Sequence, residues 1–346
     1  MTLPAAPSQK QLVDRFISWP LVQERLSRFP SLASAFPLED LQRHRNAGPY
    51  FCHYMAWRLG TWRDDGLLSQ IDELLQHAER LPNWESERLR LHGRDFAEFW
   101  SLVWQLQVAR YLGEVGRKVQ WRRDGPDLEV HIGSEPLYVE CYVYRKSFGV
   151  ELFIEEILSH LGEDLRVTHH PYLPLSLREA ERESQLSQLL APLLDETLLD
   201  RARRDSEAHY PIVLSSWPGA SLSIHVDGPS VSSYDPALAK QAVGDPAWYL
   251  EVALKETASA KTKSNALDKF HPNLLAICYS LSAEAQGALA RAERLAHPLP
   301  HIALDEHIDA LAFSTVGIDE ALSKSRFRLV QSKSAENPAT QITLQA

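Results

Sequence analysis

Two periodicities divide the chain. Apolar residues recur at helical spacing at Leu67, Leu68, Ile71, Leu74, Leu75 and Ala78, behind Asp64 and Asp65 as cap candidates, and Pro20, Pro30, Pro37, Pro49 and Pro82 punctuate the surrounding sequence. This predicts a helical N-terminal module over residues 1–93. Its aromatic segment from Pro49 to Trp62 reads as core rather than as a ligand surface, because aromatic residues at helical spacing usually pack inward. From Arg94 the segment RDFAEFWSLVWQLQVARYLGEVG predicts a helix that ends near Gly113 or Gly116. Alternation with a period of two then takes over in KVQWRRDGPDLEVHI and, after the turn IGSEP, in LYVECYVYR. The expectation is one helix packed on a meander of three short strands.

A helix from Val150 to Leu161 follows, and the pattern then loosens. Residues 164–246 offer a strand at LRVTH, a charged Leu-rich helix from Ser176 to Ala208, a hairpin in which IVLSSW and SLSIHV flank Pro218-Gly219, and a Ser- and Pro-rich loop from Asp227 to Pro246. This stretch is read as an insertion. Beyond it come WYLEVAL, a Lys-bearing helix from Lys255 to Phe270, the uninterrupted apolar run NLLAICYS, a helix from Ala283 to Ala296 and the strand DALAFST. NLLAICYS is expected as a buried central strand. The predicted class is α/β (α+β): a mixed central sheet flanked by helices in a domain spanning 94–336, interrupted at about 164–246 and closed by a tail at 337–346.

Composition narrows the classes further. Thirty-six basic against 46 acidic residues, a net charge of −10, argue against broad attraction to nucleic acid, which needs clustered Lys and Arg. Three local basic clusters remain: Arg117, Lys118, Arg122 and Arg123; Arg201, Arg203 and Arg204; Lys324, Arg326 and Arg328. Each reads first as a solvated face. Cys52, Cys141 and Cys278 are too few and too far apart for a disulfide framework or a paired metal knuckle. With no basic-then-apolar leader in MTLPAAPSQKQLVDRF and no apolar run of about 20 residues, the expectation is a cytoplasmic protein with no membrane span.

The chemistry concentrates in GPDLEVHIGSEPLYVECYVY. Strand alternation puts Asp127, Glu129 and His131 on one face, with Leu128, Val130 and Ile132 on the other. In the next strand Tyr138, Glu140, Tyr142 and Tyr144 share a face. Pairing through the turn at Gly133 brings Asp127 and Glu140 to the same side of the sheet. Two carboxylates suffice for a hard cation such as Mg²⁺, whose remaining positions go to water and substrate phosphate. Asp127 also reads as a turn residue after Gly125-Pro126, and Glu140 as a paired acid on an exposed sheet face. His169-His170 reads as part of a loop, and His297, His301 and His307 do not have metal-protease spacing.

These residues resemble the PD-(D/E)XK nuclease superfamily. Pro126-Asp127 matches its PD and Glu140 the acid of its ExK, while QLQVARYL, EVGRKV and KTKSNALDKFHPNLLAICYS share the texture of its helices and buried strand. The resemblance covers about residues 94–163 and 247–316. It implies a restriction-endonuclease-like core and a Mg²⁺-dependent (or Mn²⁺-dependent) nuclease or phosphodiesterase acting on DNA or RNA. Asp127, Glu140 and the Cys141 carbonyl would then be the metal ligands. Two positions depart from the pattern: Tyr142 stands where the family has a lysine, and Gln105 where many members carry a helix glutamate. A phenol does not supply the cation that an ammonium does. Lys146, on the strand parity of Glu140, and Lys255, Lys261 or Lys263 are the candidate replacements for that lysine, and Glu98 for the glutamate. The alternative is a nuclease-fold protein without catalysis that binds nucleic acid, a protein partner or a second copy of itself.

Overall fold

The computed structural model describes residues 17–43, 53–61, 65–92, 96–114, 118–143, 165–170, 184–185, 188–189, 192, 195–215, 218–226, 231–232, 267–278, 304, 306–314 and 327–333. The fold is mixed α/β. Its helices are α1 (Trp19–Arg28), α2 (Pro30–Ala35), α3 (Leu38–Arg43), α4 (Tyr54–Thr61), α5 (Gly66–Ala78), α6 (Trp84–Arg88), α7 (Phe96–Glu114) and α8 (Glu196–Asp205). Its strands are β1 (Lys118–Trp121), β2 (Leu128–Ile132), β3 (Glu135–Val143), β4 (Arg166–His170), β5 (Glu207–Pro211), β6 (Ser221–His225), β7 (Val231–Ser232), β8 (Asn273–Cys278), β9 (Ala310–Ser314) and β10 (Phe327–Ser332). Two compact units divide them: residues 1–24, 38–62 and 147–241 form one, and 25–37, 63–146 and 242–346 the other. Both units draw on the N-terminal 93 residues.

The first unit holds a sheet in the order β5-β6-β4-β7. Helix α8 starts because the Asp195 carboxylate accepts the N–H groups of Thr197 and Leu198, at 3.0 and 3.2 Å, which would otherwise lack partners at a helix N-terminus. Its Leu198, Leu199 and Ala202 are buried, as are Ala208 of β5 and Leu222 and Ile224 of β6. The expected hairpin exists, but its first strand lies earlier than the apolar run IVLSSW. Helix α8 stops at Asp205 on Ser206, whose φ of 67° reverses the chain, so Ala208 belongs to β5 and not to the helix. Ile212 keeps one bond to the hairpin partner, from its N–H to the Ala220 carbonyl at 2.8 Å. The His169-His170 pair closes strand β4 and is not in a loop. In the same unit Met55, Ala56 and Leu59 of α4 are buried; the aromatic side chains of the Pro49 to Trp62 segment, expected in the core, lie outside the described residues.

The second unit is built on a six-stranded sheet, β1-β2-β3-β8-β9-β10. Strands β1, β2 and β3 form the expected antiparallel meander; β8 is parallel to both β3 and β9, and β10 returns antiparallel. Strand β8 is buried along its whole length, which its NLLAIC sequence tolerates because no residue but Asn273 brings a polar side chain. Helix α7 packs on this sheet, and its buried Trp104 donates from Nε1 to the Ala276 carbonyl at 3.0 Å. Asn273 ties the entrance of β8 to its surroundings. Its two amide hydrogens serve the carbonyls of Leu267, Phe270 and His307, at 3.1, 2.9 and 2.7 Å, and its Oδ1 accepts the Asp309 N–H at 3.0 Å. Asp309 answers through Oδ2, which accepts the Asn273 N–H and meets His271 Nδ1 at 2.7 Å.

Helices α5 and α7 approach closely where Gly113 faces His77, leaving only 3.3 Å between the ring and the place a Cβ would take. Burial in that contact, followed by the charge of Arg110, lowers the His77 pKa below its ordinary value; Arg80 adds to the effect and Glu114 opposes it. The unfolded chain therefore takes up this proton at a higher pH than the folded one does. Stability from this group is complete above the ordinary histidine value of about 6.5 and declines as pH falls from there toward the folded value. Urea midpoints between pH 8 and pH 5 should fall more steeply for the wild type than for His77→Gln; equal slopes would show that this histidine does not contribute.

Candidate acid-pair site

The register of β2 against β3 sets Leu128 opposite Val139 and Val130 opposite Leu137. Continuing it by one residue puts Asp127 across from Glu140 in a pair without ladder hydrogen bonds, the class whose side chains stand closest. One residue further, Cys141 would pair with Pro126. Proline has no N–H to offer the Cys141 carbonyl, so the ladder ends there. The Cys141 N–H donates to the side chain of the residue after that proline, Asp127 Oδ2, at 2.8 Å. Asp127 thus stands at the end of the turn with its side chain bonded to the neighbouring strand. Its main-chain carbonyl continues the β1 pairing by accepting the Arg122 N–H at 3.1 Å.

The turn that delivers Asp127 depends on Gly125. Its φ is +86°, and a Cβ there would lie 2.6 Å from the Phe270 ring. Phe270 cannot easily retreat: Asn273 holds its carbonyl, and its ring packs on Tyr138 at 5.2 Å between centroids. The Arg122 guanidinium lies over both rings, 4.8 Å from Phe270 and 5.1 Å from Tyr138, and is ion-paired to Glu129. Gln120 and His131 also meet Glu129, at 2.9 and 2.8 Å. Arg122 thus belongs to a packed cluster on the meander. Of its sequence neighbours in the basic group, Lys118 and Arg123 are exposed.

Glu140 is 0 % exposed, which removes the reading of a solvated acid on an open sheet face. Burying a carboxylate is costly unless it is paired or coordinated. Gln105, 1 % exposed on α7, reaches the pair: its Nε2 donates to Asp127 Oδ1 at 2.9 Å. Behind it Arg90, in the 3₁₀ turn Leu89–His92, donates from one nitrogen to Gln105 Oε1 at 2.9 Å and to Glu87 Oε2 at 2.8 Å. Neither Arg90 nor Glu87 stands out in the sequence. They have the ordinary i,i+3 spacing of a helix ion pair, and Gln105 lies 15 residues beyond Arg90, across a helix boundary.

Asp127, Glu140 and Gln105 are thus brought together. Tyr142 follows on the Glu140 parity of β3, half-buried and in register with Ile277. Lys146, Lys255, Lys261 and Lys263 lie outside the described residues, as does Cys52; Cys141 and Cys278 are buried and not joined in a disulfide. Glu98 lies on α7, seven residues before Gln105.

The donor set fits a hard divalent cation. It offers two carboxylates in register, and the Cys141 carbonyl lies on the same strand edge as the N–H that meets Asp127. Among the described residues no group of three or more His, Cys, Asp or Glu side chains is placed to hold a metal, so such an ion would rest on this pair with water and substrate. Comparison with protein-family models, curated proteins and solved structures returns no match. Among the described residues no helix is long and apolar enough to cross a membrane.

Gly125→Ala tests the turn. The left-handed backbone alone costs an alanine about 1–2 kcal/mol, and the Phe270 contact adds to it. The thermal midpoint should fall by several degrees relative to Gly133→Ala, where φ is also positive but a Cβ meets nothing within 4 Å. Equal losses at the two glycines would contradict the Phe270 contact.

Proposed function

We propose that this chain is a divergent member of the PD-(D/E)XK superfamily, a Mg²⁺- or Mn²⁺-dependent phosphodiesterase acting on DNA or RNA. The observation that carries the reading is the buried Glu140 in register with Asp127 at the start of the PD strand. The order of elements supports it: helix α7, the β1–β3 meander, then β8 parallel to β3, as a restriction-endonuclease-like core requires. Asp127, Glu140 and the Cys141 carbonyl would hold the ion. Bound there, it would polarise a phosphoryl oxygen and make a bound water more nucleophilic. Asp127 is kept in place for that role by Gln105 and the Cys141 N–H, one on each carboxylate oxygen. Glu140 is shielded from bulk water, where its interaction with a cation is strongest.

A second reading rests on a specific observation. Gln105 aims amide hydrogens at Asp127 where a glutamate would add a third acid, and Tyr142 takes the lysine position. On that reading the chain keeps the fold and binds nucleic acid, a protein partner or another copy of itself without cleaving anything.

End-labelled single-stranded DNA, duplex DNA and RNA incubated with the wild-type protein should be cleaved with Mg²⁺ or Mn²⁺ and not with EDTA. Loss of about 3 kcal/mol of transition-state stabilisation corresponds to a fall of roughly 100-fold or more in Asp127→Ala and Glu140→Gln. Cleavage unchanged in both variants would rule out the acid pair, and retention of nucleic acid with no cleavage would favour the second reading.

A further inference from the structure

The hydrogen bonds behind the acid pair run in one direction only. Arginine donates and never accepts, so the Gln105 atom facing Arg90 at 2.9 Å must be the amide oxygen. An ionised carboxylate accepts and never donates, so the Gln105 atom facing Asp127 at 2.9 Å must be the amide nitrogen. Both neighbours demand the same orientation. A flipped amide would set donor against donor at one end and acceptor against acceptor at the other. The Arg90 nitrogen that makes this contact spends its second hydrogen on Glu87 Oε2, at 2.8 Å, which fixes the guanidinium in turn. Glu87 is 14 % exposed at its side chain and Gln105 is buried, while the Arg90 side chain is 37 % exposed, so water competes little at the Gln105 end of this line and more at the arginine.

We propose that Arg90 is the positioning residue of the acid pair: through Gln105 it sets the direction of the Asp127 carboxylate opposite Glu140. The proposal deepens the metal-dependent reading and rests on it for the purpose of that orientation, while the orientation itself stands on the hydrogen bonds. The line Glu87, Arg90, Gln105, Asp127, Cys141 N–H spans α6, the 3₁₀ turn, α7 and the edge of β3. It ties the carboxylate to a helix and to a strand at once, leaving it little freedom to rotate away from Glu140. Outer hydrogen-bond partners of ligating groups commonly change metal affinity by roughly 10–100-fold.

The test uses the full chain labelled with ¹⁵N at glutamine side chains, with the Gln105 amide signals assigned by their loss in Gln105→Ala. In the wild type the two Gln105 amide protons should be well separated and slow to exchange with water. Arg90→Met, which keeps the aliphatic stem and removes the donors, should move them toward the signals of exposed glutamines. It should also weaken Mn²⁺ binding, followed by the electron paramagnetic resonance of free Mn²⁺, by about tenfold or more. Arg90→Lys, which restores a donor, should recover most of both effects, a recovery that a merely structural role would not give. Arg90→Leu, which also carries no donor, replaces the methionine variant if that protein does not fold. Gln105 signals that stay at their wild-type positions in the variant lacking the arginine overturn the proposal. If the wild type binds no Mn²⁺, the metal-dependent reading fails by itself, and the amide signals alone decide the role of Arg90.

Discussion

The hydrogen bond from the Cys141 N–H to the Asp127 carboxylate holds the second unit's candidate chemistry in place. The β2–β3 ladder stops at Leu128 and Val139; its next hydrogen-bonded pair would be Pro126 with Cys141, and proline has no N–H to offer the Cys141 carbonyl. Asp127 accepts the Cys141 N–H through Oδ2, at 2.8 Å. A residue placed to end a strand thereby acquires a carboxylate pinned against the main chain, across from Glu140. The same residue completes the β1 pairing through its carbonyl, so its backbone is held from one side and its side chain from the other.

Around this point the packing leaves few degrees of freedom. Asn273 fixes Phe270; Phe270 fills the space beside Gly125; and Gly125 sets the turn into Pro126. On the other side α7 is anchored to the buried β8 through Trp104 and presents Gln105 to Asp127. The acid pair is therefore supported from the meander, from the central strand and from the helix. Such support is what a preorganised ligand set needs, because groups already held in place lose little entropy when they engage an ion or a phosphate. The same bonds also satisfy Asp127 in the absence of any ion, which is why the fold can be kept whether or not chemistry is.

The sequence made the core of this unit legible because its signals are local and strong. The alternation of Leu128, Val130 and Ile132 with Glu129 and His131 is reproduced by their burial, and the NLLAIC run is the fully buried parallel strand that its composition demands. Legibility failed where conformation came from elsewhere. Ser206 ends α8 with a positive φ that a serine does not advertise, so the helix was expected to run into β5. Strand β10, with its arginine at 328, reads as part of a basic cluster until β9 is seen to pair with it. At the site, Asp127, Glu140 and Gln105 were visible as residue types in order, but Arg90 and Glu87 were not, because their importance lies in one contact to Gln105 across a break between helices.

The central claim is that Asp127 and Glu140 form one cation site. Anomalous diffraction from crystals of the wild-type chain grown with Mn²⁺ tests it most directly. The account predicts a single anomalous peak between the two carboxylates, on the Cys141 edge of β3, absent from crystals of Glu140→Gln. No peak at the pair under saturating Mn²⁺, or one that persists unchanged in Glu140→Gln, would contradict it.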